Sequence, residues 1–339
     1  IRDCLRGLVG SEMCIRDSVL PLATTLIAVF GIYVLNMIFG YFFETRAQFQ
    51  MSELFGQYVP PDLVKEMSLD PKNYSLASQR RDMTVLFSDI RDFTSISEHL
   101  NPAQLSEMLN EYLTPMTRIV HTYNGTIDKY IGDALMAFWG APLEDPDHAS
   151  HALKAAQDML DRLDTMNQEF VEKDWPIIKI GVGINTGEMS VGNMGSHFRR
   201  AYTVLGDAVN LGARLEGLTK AYGVSLLVGE DTAEQVLDFE LLEIDLVRVK
   251  GKEKPVRIYQ PLGRKDTLSS DQEEYAQRFR EVLANYRDRE FDVAEEALLK
   301  MIEEQPGVKL LNLYLERVRL FQIEPPQPDW DFVFTHVTK

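Results

Sequence analysis

Two aspartates stand where a hard metal ion could be held. Asp89 closes the apolar run Val85-Leu86-Phe87-Ser88, and Asp133 follows Gly132 in a second apolar stretch, Asp128 to Trp139. A short apolar run rich in branched and aromatic residues reads as a buried strand, and a Gly-Asp pair between two such runs reads as a hairpin turn. A carboxylate at the end of a strand sits where the core stops, so both side chains would lie on strand tips. Two such carboxylates can share a pair of oxygen-seeking cations, the Mg²⁺ or Mn²⁺ kind. The plainer reading of each is an acidic turn or a helix cap, for which Asp and the following Thr94 and Ser95 are equally suited. A third cluster adds polar chemistry: Asn210 and Arg214 are four apart, so a helix would put both on one face.

The elements that must position these residues lie between 80 and 263. The spacing predicts a strand over Met83–Ile90 and a helix from Pro102 to Tyr123, with Leu105, Met108, Leu109, Leu113, Met116, Ile119 and Val120 on one face. A hairpin over Thr126–Trp139, a helix from about Pro146 to Phe170, strands at Ile177–Ile184 and Tyr202–Leu205, a helix over Asp207–Tyr222 and two closing strands follow. This order predicts an α+β domain, a βαββαβ ferredoxin-like mixed sheet with its helices on one face.

The chain has 339 residues, 45% of them hydrophobic, and a formal net charge of −17. That size supports more than one domain, and that charge excludes nucleic acid polymers as partners, because a phosphate backbone selects basic surfaces. It leaves single nucleotides open. Residues 1–18 have no clear period and read as adapter-derived rather than native sequence. Both cysteines, Cys4 and Cys14, fall there, so disulfides, thiolate zinc sites and cysteine nucleophiles are not expected elsewhere. Val19–Phe43 carries no charge over 25 residues. As a helix that is roughly 37 Å, long enough to span a bilayer, so a transmembrane helix is expected here. Residues 44–79 read as a linker that Pro60-Pro61 interrupts. Residues 264–339 read as a C-terminal extension: a tetratricopeptide-like helical hairpin, two helices about Pro306-Gly307, then a Pro-rich tail.

Three separated motifs taken together resemble the class III nucleotidyl cyclases: Phe87-Ser88-Asp89-Ile90-Arg91-Asp92-Phe93-Thr94, Lys129-Tyr130-Ile131-Gly132-Asp133, and Tyr202 through Glu216. The resemblance implies that Asp89, Asp133 and the Ile90 carbonyl bind two Mg²⁺ or Mn²⁺ ions, and that the amides of Asp92, Phe93 and Thr94 cradle phosphate. It implies that Lys129 and Thr203 read the base, that Asn210 orients the ribose, and that Arg214 neutralises the transferring phosphate. One of Lys250 and Lys252 would reach the terminal phosphates. Lys129, where guanylate-type members carry an acid, favours ATP; Thr203, where many adenylate members carry Asp, matches a subgroup responsive to bicarbonate. A hydroxyl both donates and accepts, so the expected base choice is looser than with Asp. The family pattern also implies a homodimer with two shared sites. Phe55-Gly56-Gln57-Tyr58-Val59-Pro60-Pro61 resembles the connector of bacterial members with a sensor domain and membrane helices upstream, which implies a lost upstream sensor domain and attachment to the inner membrane with the catalytic domain in the cytoplasm. The alternatives are a guanylate or mixed cyclase and a catalytically silent nucleotide-sensing domain. Diguanylate-cyclase relatives use a Gly-Gly-Asp/Glu-Glu-Phe turn that Ile131-Gly132-Asp133-Ala134 does not match.

Overall fold

A computed structural model describes residues 24–39, 78–196, 200–248 and 254–335. Contacts divide the chain into two compact units, one holding helix 24–39 and the other holding residues 78–335. Among the described residues no helix is long and apolar enough to cross a membrane, so the transmembrane helix expected over Val19–Phe43 is not supported. The described part of that stretch is helix 24–39; residues 19–23 and 40–43, the segment 1–18 and most of the 44–79 linker lie outside the described residues.

The second unit is built on a nine-stranded sheet. Its elements run β1 (Gln79–Ile90), α1 (Phe93–His99), α2 (Pro102–Thr122), β2 (Thr126–Ile131), β3 (Ala134–Trp139), α3 (His148–Glu172), β4 (Ile180–Gly195), β5 (Arg200–Leu205), α4 (Asp207–Tyr222), β6 (Leu226–Gly229), α5 (Glu230–Gln235), β7 (Phe239–Arg248) and β8 (Val256–Arg264). The strand order β2-β3-β1-β4 with antiparallel pairing, and α2 and α3 as crossovers, is the expected ferredoxin-like core. β4 continues past it to pair with β5, and runs parallel to β6 beyond the α4 crossover. β1 is central: every residue from Gln79 to Ile90 faces a partner on β4, and Thr84 to Ser88 also face β3. That explains why Thr84, Val85, Leu86 and Ser88 are fully buried.

Helix α2 starts on a capping box in which the Asn101 side chain accepts from Gln104 N–H at 3.0 Å and Gln104 returns the bond, with Pro102 at the first turn. Its apolar face and that of α3 meet Leu86, Ile90, Val182 and Ile184 on one side of the sheet. The expectation of helices on one face is corrected by α4, which covers the opposite side. Alternation along a strand sends Val85 and Phe87 the other way, where a Cβ on Gly212 of α4 would touch both. The approach is close where β4 offers Gly181 and Gly183 to that side, and the next residue on it, Asn185, hydrogen-bonds the Ala208 carbonyl of α4. A Cβ on Gly183 would overlap the backbone of Glu216 and Gly212, which has no side chain to move aside. Gly183→Ala is therefore expected to lift α4 and destabilise the fold by about 1–3 kcal/mol, read by urea unfolding, with a matching loss of any activity carried by α4.

The C-terminal extension holds three helices, α6 (Ser270–Arg287), α7 (Phe291–Glu304) and α8 (Lys309–Ile323), in place of the expected hairpin of two. The additional break falls at Arg289, in left-handed backbone with φ 66°, where neither glycine nor proline marks the turn. These helices do not stand apart. Phe279, Leu283, Tyr286, Leu311 and Tyr314 share one core with Leu215 and Tyr222 of α4 and with Leu242 and Ile244 of β7. Within it the Arg317 guanidinium lies 2.7 Å from Asp245, which also accepts from Tyr222 Oη; Arg317 and Asp245 are 6% and 2% exposed. A two-residue strand β9 (Phe334–Thr335) pairs with β7.

Candidate active site

The central strand carries Asp89 to its tip, and the β2–β3 hairpin brings Asp133 beside it. Ser88 faces Leu135 in the β1–β3 ladder, so the hairpin turn at Gly132, φ 69°, falls level with Ile90. The positive φ of that turn suits glycine. The Ile90 N–H lies 3.1 Å from Asp89 Oδ1 and 3.2 Å from Asp133 Oδ2, so both carboxylates meet at one amide. Burial, and then the hydrogen bond and charge of Asp133, push the Asp89 carboxyl up to about 6. Burial and the Asp89 charge likewise push Glu216, on α4, up to about 7. Crowded acids that resist ionising are what a divalent cation relieves, so the residues fit Mg²⁺ or Mn²⁺. Among the described residues no group of three or more His, Cys, Asp or Glu side chains could hold a metal. An ion here would take further oxygens from the Ile90 carbonyl and from substrate.

That crowding has a measurable sign. Folded Asp89 keeps a proton that the unfolded chain, with its carboxyl near 3.8, has released by pH 5. The folded state therefore binds more protons, and stability falls as pH rises through about 4 to 6. In chelator, Asp89→Asn is expected to remove this component, so the difference in Tm between variant and wild type should widen from pH 4 to pH 7 in the variant's favour.

An open cavity of about 540 Å³ sits over the pair, within the range of small-molecule sites. It is lined by Asp89, Ile90, Asp92, Phe93, Thr94, Ser95, Glu98, Asp133 and Lys220. Asp92 turns the chain into α1 with a left-handed backbone, φ 53°, a region Asp tolerates better than most residues. The first amides of a helix have no intrahelical partner, and those of α1 begin at Phe93 and Thr94 on the cavity wall. Lys220 of α4 reaches across to Asp92 Oδ1 at 2.7 Å and holds that carboxyl below the usual range. Lys220 is the one cation among these lining residues against four acids, so a polyphosphate would need added positive charge to enter. Sequence reasoning missed Lys220; its spacing of four from Glu216 on α4 was the available signal.

Lys129, Thr203, Asn210 and Arg214 do not line this cavity. Lys129 and Thr203 are brought together, with Lys129 Nζ 3.3 Å from Thr203 Oγ1 across β2 and β5. Asn210 is exposed near the start of α4, and Arg214 lies one turn on, half-buried, with Nη1 shielded from solvent and without a hydrogen-bond partner among the described residues. A buried guanidinium N–H with no acceptor is costly unless something arrives to accept it. Lys250 and Lys252 lie outside the described residues.

The fold and this pair of strand-tip carboxylates define a nucleotide cyclase domain. A model of the adenylate and guanylate cyclase catalytic domain matches residues 76–261, and the chain belongs to that family. It is 35% identical over 210 residues to adenylate cyclase 1 of Rhizobium meliloti, covering 62% of this chain and 32% of the relative. It is 37% identical over 214 residues to an adenylate cyclase of Anabaena cylindrica, covering 61% and 42% respectively. The chain thus spans well under half the length of these relatives. Among solved structures, the adenylyl cyclase CyaB from P. aeruginosa superposes with a TM-score of 0.53 at 35% identity, over 57% of this chain and all of that one. The guanylyl cyclase Cya2 gives 0.53 at 34%, over 57% and 97%.

Proposed function

We propose that the chain is an adenylate cyclase that converts ATP to 3′,5′-cyclic AMP and pyrophosphate in two equivalent sites of a homodimer. The meeting of Asp89 and Asp133 at the Ile90 amide carries this reading. In the reaction the ribose 3′-oxygen forms a bond to the α-phosphorus, its proton passes to solvent water, and the bond from that phosphorus to the pyrophosphate oxygen breaks. Two Mg²⁺ or Mn²⁺ ions bound at Asp89, Asp133 and the Ile90 carbonyl would supply an acidified hydroxyl and charge neutralisation. The amides at the start of α1 receive phosphate oxygens. Asn210 orients the ribose, and Arg214, fixed in charge and forked in geometry, takes the equatorial oxygens of the transferring phosphate. One of Lys250 and Lys252 steadies the terminal phosphates.

The homodimer is supported by the separation of the two residue sets. The cavity over the acids lacks the base-reading and ribose-orienting groups, while those groups lie near exposed apolar side chains, Tyr130, Ile131 and Leu205. A second copy would cover these and bring its own Lys129, Thr203, Asn210 and Arg214 to the acids. A guanylate cyclase is the second reading, favoured by the equal likeness to Cya2; Lys129, a donor suited to adenine N1, argues against it.

The test is to incubate the full chain with ATP or GTP and Mg²⁺ or Mn²⁺, with and without bicarbonate, and to separate the products. Cyclic AMP in excess of cyclic GMP is expected. No cyclic product from either nucleotide with either metal overturns the proposal.

A further inference from the structure

We infer that Asp128 sets the choice of base by fixing the direction of the Thr203 hydroxyl; this rests on the base-reading role proposed above for Lys129 and Thr203. Asp128 sits on a strand whose alternation fails. Thr126, Ile127 and Asp128 are buried in succession, and the β2–β3 register slips between Ile127 and Lys129. A bulge of this kind re-aims one side chain, and here the re-aimed one is a carboxylate left only 4% exposed. It faces β5. Thr203 Oγ1 donates to Asp128 Oδ2 at 2.5 Å, and the Val204 N–H reaches the same oxygen at 3.3 Å. The other oxygen, Oδ1, lies 3.0 Å from Lys129 Nζ, an ion-pair contact without hydrogen-bond geometry.

The consequence is chemical. A threonine hydroxyl has one proton, and a carboxylate can only accept. With its proton committed to Asp128, Thr203 presents lone pairs alone to whatever binds beside it. It then accepts from an amino group, as the 6-position of adenine offers, and meets the carbonyl of guanine as one acceptor facing another. Thr203 thus acts as an acceptor in the manner of a carboxylate, and Asp128 is the positioning residue that makes it so. The looseness expected of a free hydroxyl is removed. Asp128 also anchors Lys129, so one buried acid organises both base-reading groups.

The test compares the ratio of kcat/KM for ATP to that for GTP in the full chain. Asp128→Asn keeps the shape but offers an amide that can donate to Thr203, freeing the hydroxyl proton for a carbonyl. The ratio is expected to fall by about tenfold or more, the effect of one inverted hydrogen bond. Adding Thr203→Asp to Asp128→Asn, which supplies the acceptor directly, is expected to restore most of the ratio. A general packing defect would give no such rescue. If Asp128→Asn melts below the assay temperature, Asp128→Ser takes its place. A ratio unchanged within about twofold, with or without loss of total activity, overturns the inference and leaves the cyclase reading intact. Should wild type yield no cyclic product, the cyclase reading fails, and calorimetric binding of ATP against GTP in Mg²⁺ decides the role of Asp128 by the same ratio.

Discussion

Asp89→Asn and Asp133→Asn should each lower cyclic AMP formation by at least about 10²-fold, with kcat affected more than the stability of the fold. Both side chains lie at the end of the core rather than inside it, and they repel each other, so neutralising one relaxes the subunit while removing a metal ligand. A ligand that supports charge development in the transition state is worth several kcal/mol, which sets the magnitude. Two inactive variants also test the shared site. Asp89→Ala chains and Asn210→Ala chains, mixed and reassembled, should pair at random, with half the dimers mixed and one of two sites intact in each. About a quarter of wild-type activity is then expected. A mixture as inactive as either parent would show that each chain builds its own site.

Arg317→Met should cost about 3–5 kcal/mol in urea unfolding, because it strands the Asp245 carboxylate in a dry core. The guanidinium does more than pair. It stacks 3.7 Å from the Phe334 ring centroid and donates to the Tyr222 hydroxyl at 3.5 Å, and both groups also meet on Asp245. Replacing both partners with apolar residues, Arg317→Met with Asp245→Leu, should recover a large part of the loss, since an apolar pair often matches a buried ion pair. An unrecovered double variant would mean that the loss of the Tyr222–Asp245 hydrogen bond dominates. Tyr222 is the last residue of α4, so the single variant should also reduce turnover through Asn210 and Arg214.

Much of the ferredoxin-like core was legible because its signals are local. Pro102 and three-four spacing gave α2, Gly132 gave the hairpin, and Asp207–Tyr222 was read with the bounds the structure has. Which side of the sheet a helix takes is not local. The apolar stripe of α4 says that one face is buried, while the bare backbone of Gly181 and Gly183 on a distant strand says where. The acids at 89 and 133 were readable as strand tips, but Asp128 looked like an ordinary polar neighbour of Lys129. Only the slipped register turns it inward, and nothing in Thr126-Ile127-Asp128 announces a bulge. Lys220 escaped for a similar reason: its partner Asp92 is 128 residues away. The break at Arg289 has no sequence marker, so two helices were read as one. The span over Val19–Phe43 was inferred from hydropathy alone, and the helix described there covers only part of that run.

The match to the family model ends at residue 261, yet the packed interior continues to Val318. A fragment cut at the family boundary would bare Tyr222, Leu242 and Ile244 to water and become prone to aggregation. For anyone building chimeras, the portable cassette is therefore residues 78–335. A ligand gripping the outer helices would have a mechanical handle on α4 and β7, with which they share that interior.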